Sequence, residues 1–174
     1  MAKSVLIIGG ARSGKSRFAL SLAEPFSLRT MIATLEPKDE EMKARIKMHQ
    51  RQRGKGWHLI EEPVKLAEAL KRAVAKSDCV VVDCITLWLS NLLLSGKCDD
   101  EITAELKKLC KILSKPKASV IVVSNEVGQG IVPADPVTRL FRDLQGQANQ
   151  MLAAAAGEAY LMAAGIALKI KGEK

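Results

Sequence analysis

The amino-acid sequence predicts an α/β fold in which a mostly parallel central sheet carries helices on both faces. Three observations predict it. Short apolar runs of strand type alternate with longer stretches of helical periodicity, the order expected of parallel strands joined by helical crossovers. Cys79-Val80-Val81-Val82-Asp83 and Ser119 to Val123 are nearly continuous apolar runs, as in strands covered on both sides. The first strand-to-helix junction carries Gly9-Gly10-Ala11-Arg12-Ser13-Gly14-Lys15-Ser16, which fits G-x-x-x-x-G-K-[ST] at each fixed position.

Taken in order, Val5 to Ile8 is the first strand, and Arg17 to Ala23 reads as a helix with no breaker until Pro25. Thr30 to Thr34 is the second strand. Asp39 to Arg53 is strongly charged, with Met42 and Ile46 recurring at helical spacing. Trp57 to Ile60 is extended. Glu61-Glu62-Pro63 marks a helix entrance, with acids at the positive end and proline in the first turn, and Leu66, Ala67, Leu70 and Val74 form its inner face. After the run at 79–83, Ile85 to Leu94 is an apolar helix and Ile102 to Leu113 an amphipathic one. The run at 119–123 ends in Ser124-Asn125-Glu126. Val127 to Pro136, with two glycines and two prolines, is a loop. Val137, Leu140, Phe141, Leu144, Ala148, Met151 and Leu152 trace one stripe of a long helix. Short strands near Ala159–Met162 and Ile166–Ile170 close the chain. Neither a repeat nor a linker divides it, so residues 1–174 are expected to form a single nucleotide-binding domain.

Composition narrows the function classes. The 174 residues suffice for one sizeable core, with 48 % hydrophobic and 26 % charged residues. The net charge of +8 admits nucleic acid as a partner, but only 3 % of residues are aromatic, and Lys65, Lys71, Lys107, Lys115 and Lys169 are scattered. A solvated basic surface with no nucleic-acid partner is the expectation. Cys79, Cys84, Cys98 and Cys110 show no C-x-x-C spacing and read as reduced core thiols of a cytoplasmic protein. The N-terminus leads straight into a strand and a working loop, unlike a secretory leader. The most apolar stretch, Leu152 to Leu168, is interrupted by Gly157, Glu158 and Gly165, so no membrane span is expected.

The phosphate-loop spacing has a chemical reason. Gly9 and Gly14 lack a Cβ, so the backbone can turn tightly and approach an anion. Successive N–H groups then form a nest for phosphate oxygens, and the helix beginning near Lys15 adds its positive end. The Lys15 ammonium reaches the β- and γ-phosphates, and the Ser16 hydroxyl is a ligand for Mg²⁺. Ligands of such sheets gather beyond the carboxyl ends of the strands, which directs attention to Ala33-Thr34, Asp83 and Ser124-Asn125-Glu126. Asp83, at a strand end, is a candidate second holder of Mg²⁺; otherwise it is a surface acid. Asp83 and Glu126 are both candidates for the base that takes an acceptor's hydroxyl proton.

Arg45, His49 and Arg53 lie at i, i+4 and i+8 on the charged helical segment. Two guanidiniums beside an imidazole disfavour its protonation, and a neutral imidazole is nucleophilic. The same stripe also reads as a solvated basic face. Glu61 and Glu62 either favour the helix start or offer a carboxylate to a guanine edge, and the sequence leaves both readings open.

These blocks together resemble the bifunctional adenosylcobinamide kinase / adenosylcobinamide-phosphate guanylyltransferase family of cobalamin biosynthesis. The resemblance runs through residues 9–16, Ile32-Ala33-Thr34, Asp39 to Met42, Arg45-Ile46, His49, Arg53, Trp57 and Glu61-Glu62-Pro63. It continues through residues 82–93 and 124–133, Phe141-Arg142-Asp143, Gly146 and Asn149-Gln150. It implies a RecA-like fold of the P-loop NTPase class and two reactions. ATP or GTP phosphorylates the aminopropanol hydroxyl of adenosylcobinamide. His49 then takes GMP from GTP as a phosphoramidate and passes it on to give adenosylcobinamide-GDP, with pyrophosphate released. The implied nucleotide contacts are Gly9, Gly10, Ala11, Arg12, Ser13, Gly14, Lys15, Ser16, Ala33, Thr34, Leu35, Gln50, Arg51, Gln52, Arg53, Glu61 and Asp83. The corrinoid is the implied partner, and the loop Val127–Pro136 with the helix after it is the expected wall of its pocket. A homotrimer with sites near subunit interfaces is also implied. Met31, Leu35 and Gly54 depart from the family's usual residues without removing a reacting group. Two other functions fit the phosphate loop alone: a small-molecule kinase without guanylyl transfer, and a nucleotide-dependent switch module.

Overall fold

The computed structural model describes residues 2–36 and 56–172. Its strands are β1 (Ser4–Gly9), β2 (Arg29–Ala33), β3 (Trp57–Glu61), β4 (Cys79–Asp83), β5 (Ser119–Val123), β6 (Glu158–Ala163) and β7 (Ile166–Lys171). The helices are α1 (Lys15–Ala23), α2 (Leu66–Ala73), α3 (Ile85–Leu94), α4 (Asp99–Ser114) and α5 (Pro136–Ala155). The seven strands form one sheet in the order β3-β2-β4-β5-β1-β6-β7. Every pairing is parallel except β6 with β7. The mostly parallel α/β fold expected from the alternating pattern is therefore the one observed.

The continuous apolar runs become the middle of the sheet because each face of them is buried. Leu6, Ile32, Val80, Val82, Val120 and Val122 pack on one side against α2, α3, α4 and α5. Val5, Ile7, Met31, Val81, Ile121 and Val123 pack on the other with Ala19 and Ala23 of α1. Each fully buried aliphatic side chain contributes about 1.5–3 kcal/mol, so the central strands hold the sheet more firmly than its rims. Trp88 of α3 is fully buried, and its indole N–H donates to the Val64 carbonyl at 2.8 Å.

Three local expectations change. Of the four cysteines, Cys79 and Cys84 are buried, but Cys110 is only partly so and Cys98 is exposed. Cys98 lies at the mouth of α4, where its N–H donates to Glu101 Oε2 at 2.9 Å. That reciprocal cap starts α4 at Asp99, ahead of the apolar periodicity that begins at Ile102, because acids suit the positive end of a helix. Val137, first in the stripe of α5, is 58 % exposed because it precedes the part of the helix that meets the sheet. The charged segment from Asp39, with Met42, Arg45, Ile46, His49 and Gln50 to Arg53, lies outside the described residues, as does Gly54. Among the described residues no helix is long and apolar enough to cross a membrane.

Candidate active site

The phosphate loop joins β1 to α1 at the carboxyl rim. Gly9 has φ +153°, and a Cβ there would stand 2.5 Å from the Met162 carbonyl oxygen. Gly14, at φ 96°, caps α1 in the left-handed region, where glycine carries no steric penalty. Arg12 is the other left-handed residue of the loop, at φ 54°. The turn between β6 and β7 buttresses the loop, since Gly165 N–H donates to the Ser13 carbonyl at 3.1 Å.

Lys15 starts α1 only 7 % exposed, and its Nζ donates to the Gly10 carbonyl at 2.6 Å. Burial lowers its pKa, and the negative charge of Asp83 opposes that shift. Lys15 and Asp83 therefore sense one another across the rim although they belong to different elements. Burial also pushes the thiols of Cys79 and Cys84 up to about 12, so neither is a thiolate at neutral pH.

Asp83 ends β4 beside Ala33 of β2 and Val123 of β5. The junction is locked by Thr34, whose hydroxyl accepts from Cys84 N–H at 2.9 Å and donates to the Cys84 carbonyl at 2.7 Å. Asn91 of α3 donates to the carbonyls of Thr34 and Pro63 at 2.9 and 3.1 Å. Thr34 is fully buried, and Leu35 follows it half-buried. The structure thus brings together residues 9–16, Ala33, Thr34 and Asp83. Gln50, Arg51, Gln52, Arg53 and His49 fall outside the described residues.

The two acids after β3 separate in role. Glu62 Oε1 accepts from the N–H groups of Val64 and Lys65 at 3.2 and 2.8 Å, so it caps the entrance to α2. Glu61 ends the edge strand β3 with an exposed side chain, level with Ala33. Among the described residues its carboxylate has no hydrogen-bond partner.

A group that sequence periodicity missed lies beyond β5. Ser124 and Gln145 are fully buried and Asn149 is 7 % exposed. Gln145 Nε2 donates to Ser124 Oγ at 2.9 Å and to Asn149 Oδ1 at 3.1 Å, and Ser124 Oγ donates to the same Oδ1 at 2.7 Å. The available signal was two amides four residues apart, on a helix turn that otherwise faces the sheet. Glu126 Oε1 accepts from Gly128 N–H at 2.6 Å, so the second candidate base is also a loop brace. Arg142 and Arg139 of α5 hold the carbonyls of Gly128 and Pro133 at 2.6 and 3.0 Å. The loop is thus pinned by its backbone, while Ile131 and Val132 are 96 % and 62 % exposed.

The oxygen donors suit Mg²⁺. Ser16 supplies a hydroxyl one residue into α1, and Asp83 a carboxylate near Lys15. Magnesium in nucleotide sites takes one or two protein oxygens and completes its shell with phosphates and water.

Comparison with known proteins follows the same lines. A family model described as cobinamide kinase / cobinamide phosphate guanyltransferase matches residues 5–170. The bifunctional adenosylcobalamin biosynthesis protein CobU of Escherichia coli K12 is 40 % identical over 179 residues, covering 96 % of this chain and 99 % of that protein. CobP of Pseudomonas aeruginosa PAO1, with the same description, is 40 % identical over 171 residues, covering 97 % of each. Among solved structures, the assembled ATPase EscN of the enteropathogenic E. coli type III secretion system superposes with a TM-score of 0.57 at 13 % identity, over 94 % of this chain and 43 % of that one. A prototypical type III secretion ATPase of pathogenic bacteria gives 0.53 at 13 % identity, over 91 % of this chain and 50 % of that one. The chain spans about half the length of these ATPases or less, and their likeness concerns the P-loop NTPase fold alone.

Proposed function

The chain belongs to the cobinamide kinase / cobinamide phosphate guanyltransferase family, and from that premise we propose that it carries out both reactions on adenosylcobinamide. In the first, the aminopropanol hydroxyl oxygen attacks the γ-phosphorus of ATP or GTP. The bond to the β–γ bridging oxygen breaks, the nucleoside diphosphate leaves, and a base takes the hydroxyl proton. Lys15 and the amides of residues 9–16 hold the phosphates, and their donors meet charge that builds up on the transferring group. Ser16 and Asp83 would hold Mg²⁺, which would supply neutralisation of phosphate charge. The base is Asp83 or Glu126, the latter already accepting from Gly128 N–H.

In the second reaction an imidazole nitrogen of His49 attacks the α-phosphorus of GTP, and pyrophosphate leaves. A phosphate oxygen of adenosylcobinamide phosphate then attacks the histidine-bound phosphorus. The P–N bond breaks and adenosylcobinamide-GDP forms. Gln50, Arg51, Gln52 and Arg53 contact the nucleotide here with Ala33 and Leu35, Thr34 braces that contact from behind through the Cys84 backbone, and Glu61 meets the guanine edge. Assembly as a homotrimer in the cytoplasm belongs to the same reading. The exposed apolar side chains at Ile131, Val132 and Val137, and at Ile166, Leu168 and Ile170 of the edge strand, suit a contact between subunits.

The observation that carries the proposal is the phosphate loop after β1, at the same rim of the sheet as Asp83 at the tip of β4, within a chain that matches bifunctional relatives over nearly all its length. The test is incubation with α-labelled GTP, followed by mass spectrometry of the products formed with adenosylcobinamide. An acid-labile, base-stable protein adduct is expected, absent from His49→Ala, together with adenosylcobinamide-GDP. Phosphorylated corrinoid without adduct or pyrophosphate would reduce the protein to a kinase. A His49→Ala protein that still labels would remove the histidine assignment.

A further inference from the structure

A cavity of about 370 Å³ lies at the end of the sheet opposite the phosphate loop, large enough for a small ligand. β2 and β3 run parallel, with Arg29 level with Trp57 at their starts and Ala33 level with Glu61 at their ends. At ~3.3 Å per residue, the length of β2 sets the starts roughly 13 Å from the carboxyl rim. Arg29, Thr30 and His58 line the cavity from the two strands, Arg72 from the last turn of α2, and Lys76 and Ser77 from the connection to β4.

Arg29, Arg72 and Lys76 thus converge on one cavity, and among the described residues no acid lines it. Nor, among those residues, does the side chain of Arg72 or Lys76 make an ion pair. Asp78, next along the chain, turns its Oδ2 to the Leu28 N–H at 3.0 Å. Serving the negative end of α2, as basic residues of a last turn do, accounts for Arg72. It does not account for Arg29, which comes from another element and is held in place there. The Arg29 guanidinium carbon lies 5.2 Å from the Trp57 ring centroid, within the range of a cation–π contact. Gly56 makes room for it: at φ +91°, a Cβ there would stand 3.1 Å from Arg29 Nη2. Thr30 and Ser77 add hydroxyls, which share a hydrogen bond at 2.7 Å.

We propose that this cavity is an anion site separate from the phosphate loop, and that it takes a di- or triphosphate group, free as pyrophosphate or carried by a nucleotide. Guanidiniums present paired N–H donors that match phosphate oxygens, and an ammonium adds a point charge. Cations gathered without an acid repel one another, and a ligand of several negative charges relieves that repulsion better than a single carboxylate does. The inference goes beyond the two-reaction reading and stands without it, since the cavity uses neither the phosphate loop nor Asp83.

The experiment is equilibrium dialysis of labelled pyrophosphate against the full-length protein carrying Lys15→Ala, which weakens the phosphate loop. Binding with Kd below about 1 mM is expected there. Adding Arg72→Gln and Lys76→Gln should weaken it ~30-fold, because two charge-assisted contacts at exposed positions are lost. Lys15→Ala protein that binds no pyrophosphate, or that binds it equally well with the two added changes, overturns the site. A second measurement needs no change in the cavity. Pyrophosphate should alter the Trp57 emission of the Lys15→Ala protein, because Trp57 lies against Arg29, whereas Trp88 is fully buried. Unaltered emission at saturating pyrophosphate removes Arg29 from the site and overturns the proposal. A non-hydrolysable ATP analogue then identifies the source of the phosphates. Displacement of the bound pyrophosphate assigns the cavity to nucleotide tails, and its retention assigns the cavity to pyrophosphate itself. Neither phosphoryl nor guanylyl transfer is measured, so failure of the function proposed above would leave every one of these outcomes as it stands.

Discussion

The two ends of the carboxyl rim are built on different principles. At β1, β4 and β5 the rim is built from main-chain amides and buried side chains: Lys15 at 7 %, Ser13 at 8 % and Ser124 at 0 % exposure. Each is fixed by covering elements on both faces of the sheet. At β2 and β3 the edge strand ends in the exposed Glu61, level with Ala33. The first region is a cradle that the fold completes by itself. The second offers side chains on an edge, where water competes for every contact. Phosphate grip should therefore tolerate little change, and base recognition should be adjustable by single exposed residues.

The strongest challenge to this contrast is Lys15→Ala. Phosphoryl transfer measured with labelled nucleotide should fall by ~10³-fold, since a charged donor on the transferring group is lost. Stability should respond in the opposite sense. Burial places the folded pKa of Lys15 below its usual 10.5. Its charge therefore costs stability at low and neutral pH, and that cost is relieved as pH rises from the folded pKa towards 10.5. Without nucleotide, the variant should melt no lower than the native protein and should lack that alkaline gain. A clear drop in melting temperature at neutral pH would mean that Lys15 is part of the scaffold.

Thr34→Val tests the joint between the two regions. Removing the hydroxyl leaves the Cys84 N–H without its partner and the carbonyl short of one, at a cost of about 1–3 kcal/mol in denaturant unfolding. Nucleotide affinity should weaken as Asp83 loses its brace. Full stability would show that the rim does not depend on this bond. The smallest effect is expected at the exposed end. Glu61→Gln should weaken GTP binding about tenfold, with ATP binding almost unchanged, since one charged hydrogen-bonding group is worth roughly 1.5–3 kcal/mol at best. Equal weakening of both nucleotides would remove Glu61 from base recognition and leave it as a strand-end acid beside Glu62.

The same contrast separates what could be read from the sequence. The apolar runs at 79–83 and 119–123 identified buried strands because no polar position broke them, and the phosphate loop identified the β1–α1 junction because its glycines have few other uses at that spacing. The acidic first turn of α4 was missed, since its apolar period starts only at Ile102. Glu61 and Glu62 could not be told apart, because both are acids at the same helix entrance. Only the bonds from Glu62 to Val64 and Lys65 separate them. The amides of Gln145 and Asn149 were invisible to a periodicity argument, because a polar residue at a buried helix position looks like a break in the stripe until its partner on another element is known.

By itself, the sequence determined that this chain makes an α/β sheet and where along it the phosphate loop lies, because strand burial and a phosphate nest depend on residues adjacent in the chain. Tertiary structure alone decided which strand tips meet. The order β3-β2-β4-β5-β1-β6-β7 puts Asn125 between Asp83 and Gly9, residues more than forty and more than a hundred positions away. That order arises from the packing of whole helices on the two faces, a sum over many weak contacts that no short stretch encodes.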